Sequence, residues 1–174
     1  MANHIVVMGV AGCGKSTVVE AIRDQLGYTL AEGDDFHPQA NIDKMSAGIP
    51  LTDEDRWPWL DVINKWMIAR ESLDENTVVS SSALKRSYRE ALSKDLNVYF
   101  LHLDGSQELI QARLSARKNH FMPASLLPSQ FAILEPLGDD ENGEVISIEG
   151  TIEDVVARSI EAVKAYELRE QSAK

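Results

Sequence analysis

The chain has 174 residues, 44% hydrophobic and 26% charged, which suits one globular domain with a full core. Its 28 acidic against 17 basic residues leave a net charge of −11, which excludes a general nucleic-acid binder, since that needs a basic face. Cys13 is the single cysteine, no apolar run approaches the roughly 20 residues of a membrane span, and no signal-like segment precedes the first apolar run, so a reducing, cytoplasmic setting away from membranes is expected.

In chain order, Ile5 to Met8 read as a short buried strand. Gly9 to Ser16 match G-x-x-x-x-G-K-[ST], the phosphate-binding loop. The spacing has a physical reason: glycines let the backbone curl so that N–H groups point at a phosphate, and the helix starting near Lys15 adds the positive end of its dipole. Nucleotide contacts are therefore expected from Gly9, Val10, Ala11, Gly12, Cys13, Gly14, Lys15, Ser16 and Thr17, with Lys15 on the β- and γ-phosphates of ATP and the Ser16 hydroxyl on Mg²⁺. Val18, Val19, Ile22 and Leu26 recur at helical spacing, and Gly27 suits the helix end. Tyr28 to Gly33 reads as a second strand, and Pro38 opens a helix toward Met45 that Gly48 and Pro50 end. Pro58 opens the next helix, with Leu60, Ile63 and Met67 on its inner face. Thr77 to Ser81 is a third strand, a helix spans Lys85 to Ser93, and Val98 to Leu103 is a fourth strand. Ser106 caps a helix reaching about Arg117, residues 118–143 are irregular, Val145 to Ile148 is the last strand, and Thr151 with Asp154 starts the final helix. Alternating strands and helices predict an α/β fold: a single doubly wound domain over residues 1–174, with a five-stranded parallel sheet, helices on both faces and a ligand crevice at the carboxyl ends of the strands.

Residues near those ends are the chemical candidates. Glu32 and Asp34 are two apart, so on an extended chain they share a side, and one of them can accept a proton from a substrate hydroxyl while helping to hold Mg²⁺ through water. The spacing favours this role for Asp34 and leaves Glu32 open; Asp35 suits a helix cap better. His37 can donate hydrogen bonds to a polyol. Between Asn41 and Leu60, Lys44, Asp53, Asp55 and Arg56 crowd among turn residues, and Arg56 is the best candidate to clamp a carboxylate. Arg113 and Arg117 lie one helical turn apart before the irregular stretch, where a mobile lid over 118–143 could bring cations onto phosphates; a solvated helix end reads equally well.

These residues also carry a resemblance. Glu32 to Pro38, Asn41 to Met45, Gly48 to Leu60, Ser82 to Lys85 with Tyr88-Arg89, Arg117 to Pro123, Ser129 to Phe131 and Leu134 to Pro136 resemble, in that order, the gluconokinase family. The resemblance implies ATP-dependent phosphorylation of D-gluconate at its 6-hydroxyl. It also implies sheet order 2-3-1-4-5 as in shikimate and adenylate kinases, a lid, and a homodimer. It makes Arg113 the arginine that stacks on adenine, Arg117 a lid arginine on the phosphates, and Asp34 the acid that meets the acceptor hydroxyl, with Lys15, Asp34 and Arg117 as the catalytic set. Lys44, Lys85 and Arg89 are candidates to touch the substrate or to brace the site, behind Arg56. Two other readings compete. Ser80-Ser81-Ser82 stands where shikimate kinases carry a glycine-rich strand end, which counts against that acceptor. A nucleotide-dependent switch lacks support, because the Asn64-Lys65 pair is not followed by the Asp of a guanine site.

Overall fold

The molecule, seen in a computed structural model, is described over residues 2–116 and 127–173. Strand β1, His4–Met8, is buried along its whole length, as a strand covered on both faces must be. It pairs in parallel with β3, Thr77–Ser80, through the register His4↔Thr77 to Val7↔Ser80. On its other side it pairs with β4, Tyr99–Asp104, from Ile5↔Tyr99 to Met8↔His102. β2, Thr29–Glu32, joins β3 at one edge, and β5, Gly143–Ser147, joins β4 at the other. The sheet order is therefore β2-β3-β1-β4-β5, as expected. Parallel neighbours cannot be joined by hairpins, so helical crossovers separate the strands. Their carboxyl ends gather along one margin, and the chain departs to both sides of β1, which opens a crevice there.

Helix α1, Lys15–Leu26, buries Val18, Val19 and Ile22 and ends at Gly27, whose positive φ of 77° lets its N–H reach the Arg23 carbonyl. The turn after β2 differs from expectation. Gly33–Phe36 form a single 3₁₀ turn, so Asp34 does not continue the strand and the argument that it shares a side with Glu32 fails. Gly33 is required there: a Cβ would run into the Ser80 carbonyl of β3. Helix α2, Gln39–Ser46, follows Pro38.

Helix α3, Asp53–Glu71, begins five residues before the expected Pro58. Its start is a capping box: Thr52 Oγ1 accepts from the Asp55 N–H at 3.2 Å and Asp55 Oδ2 accepts from the Thr52 N–H at 2.9 Å. Pro58 sits inside the second turn and forfeits one backbone hydrogen bond. The burial of Trp59, Leu60, Ile63 and Met67 beyond it holds the helix together.

Helix α4, Arg86–Leu92, and α5, Gln107–Ala116, follow β3 and β4. Ser106 caps α5, its Oγ accepting from the Leu109 N–H at 3.1 Å. Helix α6, Leu127–Ile133, was not expected in the irregular stretch, and the final helix α7, Ile152–Ser172, starts at its Thr151–Asp154 capping box. Residues 118–126 of the expected lid, like Arg117, lie outside the described residues. Beyond α6 the chain is strapped to α4. The Glu135 N–H donates to the Leu84 carbonyl at 2.7 Å, and Glu135 Oε1 accepts from the Arg86 N–H at 2.8 Å. Arg86 pairs with Asp140, and buried Arg89 grips Glu141 at 2.7 and 3.0 Å.

Candidate active site

At the end of β1, Gly9, Gly12 and Gly14 take φ of 141°, 84° and 101°, conformations that L side chains rarely adopt, and the backbone curls into a cradle. Gly9 is further committed by space, since a Cβ would meet Cys13 Sγ and the Leu103 carbonyl at 2.7 and 2.8 Å. The Gly9 N–H is anchored on the Ser82 carbonyl at 3.1 Å, and the Ala11 N–H donates to Gln130 Oε1 at 2.8 Å. Val10, Ala11 and Cys13 are buried under the cradle. The Lys15 ammonium donates to the Gly9 and Val10 carbonyls at 2.9 and 3.0 Å, folded over the loop whose phosphates it is expected to meet. Thr17 faces a different groove, between α1 and α7.

The cradle is one wall of a cleft with about 810 Å³ of empty space, part of it open to solvent. Lys15, Ser16, Glu32, Asp34, His37, Arg56, Trp59 and Gln130 are among its lining residues. Glu32 is placed by a short relay: the Gly33 N–H donates to Ser80 Oγ at 3.2 Å, Ser80 Oγ donates to Glu32 Oε2, and Ser16 Oγ donates to the same carboxylate oxygen at 3.3 Å. A hydroxyl backed by a carboxylate is an all-oxygen set, the donor chemistry that suits Mg²⁺, which shares its shell with phosphates and waters. The structure thus gives Glu32, left open by its spacing, a definite neighbour in Ser16.

On the acceptor side, α3 supplies Trp59, whose Nε1–H donates to the Gly33 carbonyl at 2.7 Å and whose ring stacks on His37 with centroids 4.0 Å apart. Asn41 Nδ2 donates to the Asp55 carbonyl at 2.9 Å, which fixes the amide's orientation, and its second N–H meets His37 Nδ1 at 3.2 Å. Nδ1 is therefore the acceptor and Nε2 carries the proton. Nε2 lies 3.8 Å from Asp34 Oδ1. Burial, helped by the nearby Arg56 cation, pushes the imidazole down to about 4, so His37 is a neutral donor at physiological pH.

Arg56 is 6% exposed. Its guanidinium lies 5.0 Å from the centroid of the Tyr88 ring, one N–H reaches the Leu51 carbonyl at 3.5 Å, and Nε is buried without a hydrogen-bond partner among the described residues. Desolvation lowers its affinity for the proton while leaving it a cation. The other cations expected near the acceptor are engaged elsewhere. Lys44 pairs with Asp55 at 2.7 Å, Lys85 with Asp53 at 3.2 Å, and Arg89 holds Glu141 and the Ala83 carbonyl, all off the cleft wall. Arg113 donates to the Ile148 and Gly150 carbonyls at 3.0 and 3.2 Å, on the flank of the cradle where α5 packs against Gly12.

A family model described as an AAA domain matches residues 5–137. A gluconokinase from Gluconobacter oxydans (strain 621H) is 50% identical over 149 residues, covering 85% of this chain and 83% of the relative. The thermoresistant gluconokinase of Escherichia coli (strain K12) is 41% identical over 165 residues, 93% of this chain and 94% of that protein. Among solved structures, a gluconokinase from Sinorhizobium meliloti 1021 superposes with a TM-score of 0.85 at 43% identity, over 98% of this chain and 97% of the other. An APS kinase from Mycobacterium tuberculosis, at 16% identity and a TM-score of 0.65, shares the fold alone. With a phosphate loop opening onto a cleft and relatives of this identity over nearly its whole length, the chain belongs to the gluconokinase family.

Proposed function

We infer that this chain transfers the γ-phosphoryl group of ATP to the 6-hydroxyl of D-gluconate, giving 6-phospho-D-gluconate and ADP. The observation that carries the reading is Arg56: a buried cation whose Nε lacks a partner among the described residues, in a cleft that also holds the phosphate loop. A sugar acid supplies the carboxylate such a cation needs, at the end of the molecule opposite its reacting hydroxyl. In this reading the loop amides and Lys15 hold the triphosphate, and Lys15 exchanges its loop carbonyls for phosphate oxygens. Ser16, backed by Glu32 and Ser80, holds Mg²⁺, which neutralises charge on the phosphates. Asp34 accepts a hydrogen bond from the 6-hydroxyl and aims its oxygen at the γ-phosphorus, and the His37 Nε2–H donates to a substrate hydroxyl. Arg113 flanks the base, and Arg117 supplies a second cation for the transferring group. Within the span proposed as a lid, Glu135 and Glu141 are bonded to Leu84, Arg86 and Arg89, so on this reading the C-terminal part of that span stays with α4. A homodimer in the cytoplasm completes the proposal.

The test is ADP release from Mg-ATP with gluconate, shikimate and a panel of other sugar acids offered in parallel. Turnover with gluconate supports the reading. Turnover with shikimate instead would leave the fold and void the acceptor assignments, and nucleotide hydrolysis without any acceptor would revive the switch. Asp34→Asn is expected to lower kcat by about 100-fold or more, within the range of acid–base contributions, while ATP affinity stays within about twofold. Unchanged turnover removes Asp34 from the chemistry.

A further inference from the structure

The two halves of the cleft are joined by a contact that phosphoryl transfer does not itself require. Gln130, on α6, takes the Ala11 N–H of the phosphate loop on its side-chain oxygen at 2.8 Å, across 119 residues of sequence, in a buried setting. Loop amides are the groups that meet phosphates, so a side chain that holds one of them helps set the loop's curvature. The other end of Gln130 is tied to the acceptor side. Its carbonyl accepts from the Leu134 N–H at 3.0 Å, and the next residue, Glu135, is bonded to Leu84 and to the Arg86 N–H at the mouth of α4. Helix α4 carries Tyr88, the ring beneath the Arg56 guanidinium. A continuous series of contacts therefore runs from Ala11 through Gln130, Glu135 and α4 to Arg56. Gln130 and its neighbour Ser129 also line the same cleft as Asp34 and Arg56.

A link transmits only if one end has two arrangements. Lys15 can supply the second arrangement. Here Lys15 is bonded to the Gly9 and Val10 carbonyls, the residues just before Ala11. A triphosphate that draws the ammonium onto its own oxygens releases those two carbonyls, and the Ala11 peptide is the next unit along. Resting on the gluconate-kinase reading, we propose that Gln130 is a positioning residue that couples nucleotide binding at the phosphate loop to acceptor binding at Arg56.

Coupling of this kind is reciprocal and is read from binding alone. Calorimetry would measure gluconate binding to the whole protein with and without Mg²⁺ and a non-hydrolysable ATP analogue, then the analogue with and without gluconate. The wild type is expected to bind each ligand on the order of 10-fold tighter when the other is present. Gln130→Ala is expected to bring that factor to about one. Gln130→Met keeps much of the side-chain volume but offers the Ala11 N–H no oxygen. Its coupling factor, from the same titrations, is likewise expected to fall to about one. This second variant carries the test if the alanine variant loses its fold. A wild-type coupling factor of one overturns the link, as does a folded Gln130→Ala or Gln130→Met that keeps the wild-type factor. A wild type that binds no gluconate under any condition removes the kinase reading itself, and the link with it.

Discussion

Arg56 and Arg89 are both buried arginines, and their contacts set them apart. The Arg89 guanidinium is matched by Glu141 and two backbone carbonyls. Among the described residues Arg56 Nε has no partner, and a buried unsatisfied polar group costs about 1–3 kcal/mol, which on the proposed reading a substrate carboxylate offsets. Arg56→Met should therefore raise KM for gluconate by about 100-fold, the range for losing a charge-assisted pair, while the melting temperature stays at or above the wild-type value. A fall in stability with KM unchanged would make Arg56 a structural residue. Arg56 stands out in the sequence by its place among turn residues, because a bidentate cation has a distinctive chemistry, while its burial against Tyr88 is visible only in the fold. Lys44, Lys85 and Arg89 look alike in sequence, and the carboxylates they meet, 11, 32 and 52 residues away, leave no local signal. Gln130 was not legible as a loop contact, since an uncharged amide 119 residues from its partner leaves no periodic or spacing signal.

At the scale of elements, local signals were read well where they were self-contained and poorly where they competed. The strands, the phosphate loop with α1 and the α7 capping box follow from short-range patterns and stand close to where those patterns put them. Pro58 reads as a helix start because proline favours the first turn, yet the Thr52–Asp55 capping box opens α3 five residues earlier, and one forfeited hydrogen bond does not break it. The 3₁₀ turn at Gly33–Phe36 was hidden because its cause is tertiary, the close approach of β2 to Ser80. The strap from α6 to β5 is the same kind of feature, and its strength can be measured. Arg89 and Glu141 are 2% and 10% exposed, so removing one partner strands a buried charge. Arg89→Met should destabilise the fold by about 3–5 kcal/mol, and Arg89→Met combined with Glu141→Leu should recover most of that, as buried pairs replaced by apolar groups do. Both can be read from urea unfolding, with KM for gluconate in the folded double variant within about twofold of wild type. A large KM change in that variant would return Arg89 to the acceptor site.

The whole molecule couples its site to its acid stability through histidines held neutral. His4, at the start of β1, is buried on Thr77 and Glu71; burial outweighs the carboxylate and lowers its proton affinity. His102, on β4, is lowered chiefly by burial, with Arg89 and Lys15 adding to it and Asp104 opposing. His37 falls to about 4 from the model-compound 6.5. In each case the unfolded chain binds a proton that the folded chain refuses, so stability is complete above the unfolded value and falls as pH drops toward the folded one. For His37 alone the loss is about 2 kcal/mol by pH 5. Carboxylates such as Asp55, held down at about 2 by Lys44 and the Thr52 backbone, give way only at lower pH. Urea unfolding should therefore show stability dropping steeply between pH 7 and pH 5, and His37→Gln should flatten that slope by about one proton's worth. A flat profile in that window would mean the imidazoles are solvated. The same burial keeps the imidazole neutral, with Nδ1 free to accept from Asn41, down to about pH 4, so gluconate affinity of the still-folded protein at pH 5.5 should stay within about threefold of its value at pH 7.5. Acid inactivation then coincides with unfolding, because His37 takes on charge and exchanges its Nδ1 acceptor for a donor only when the molecule loses its fold.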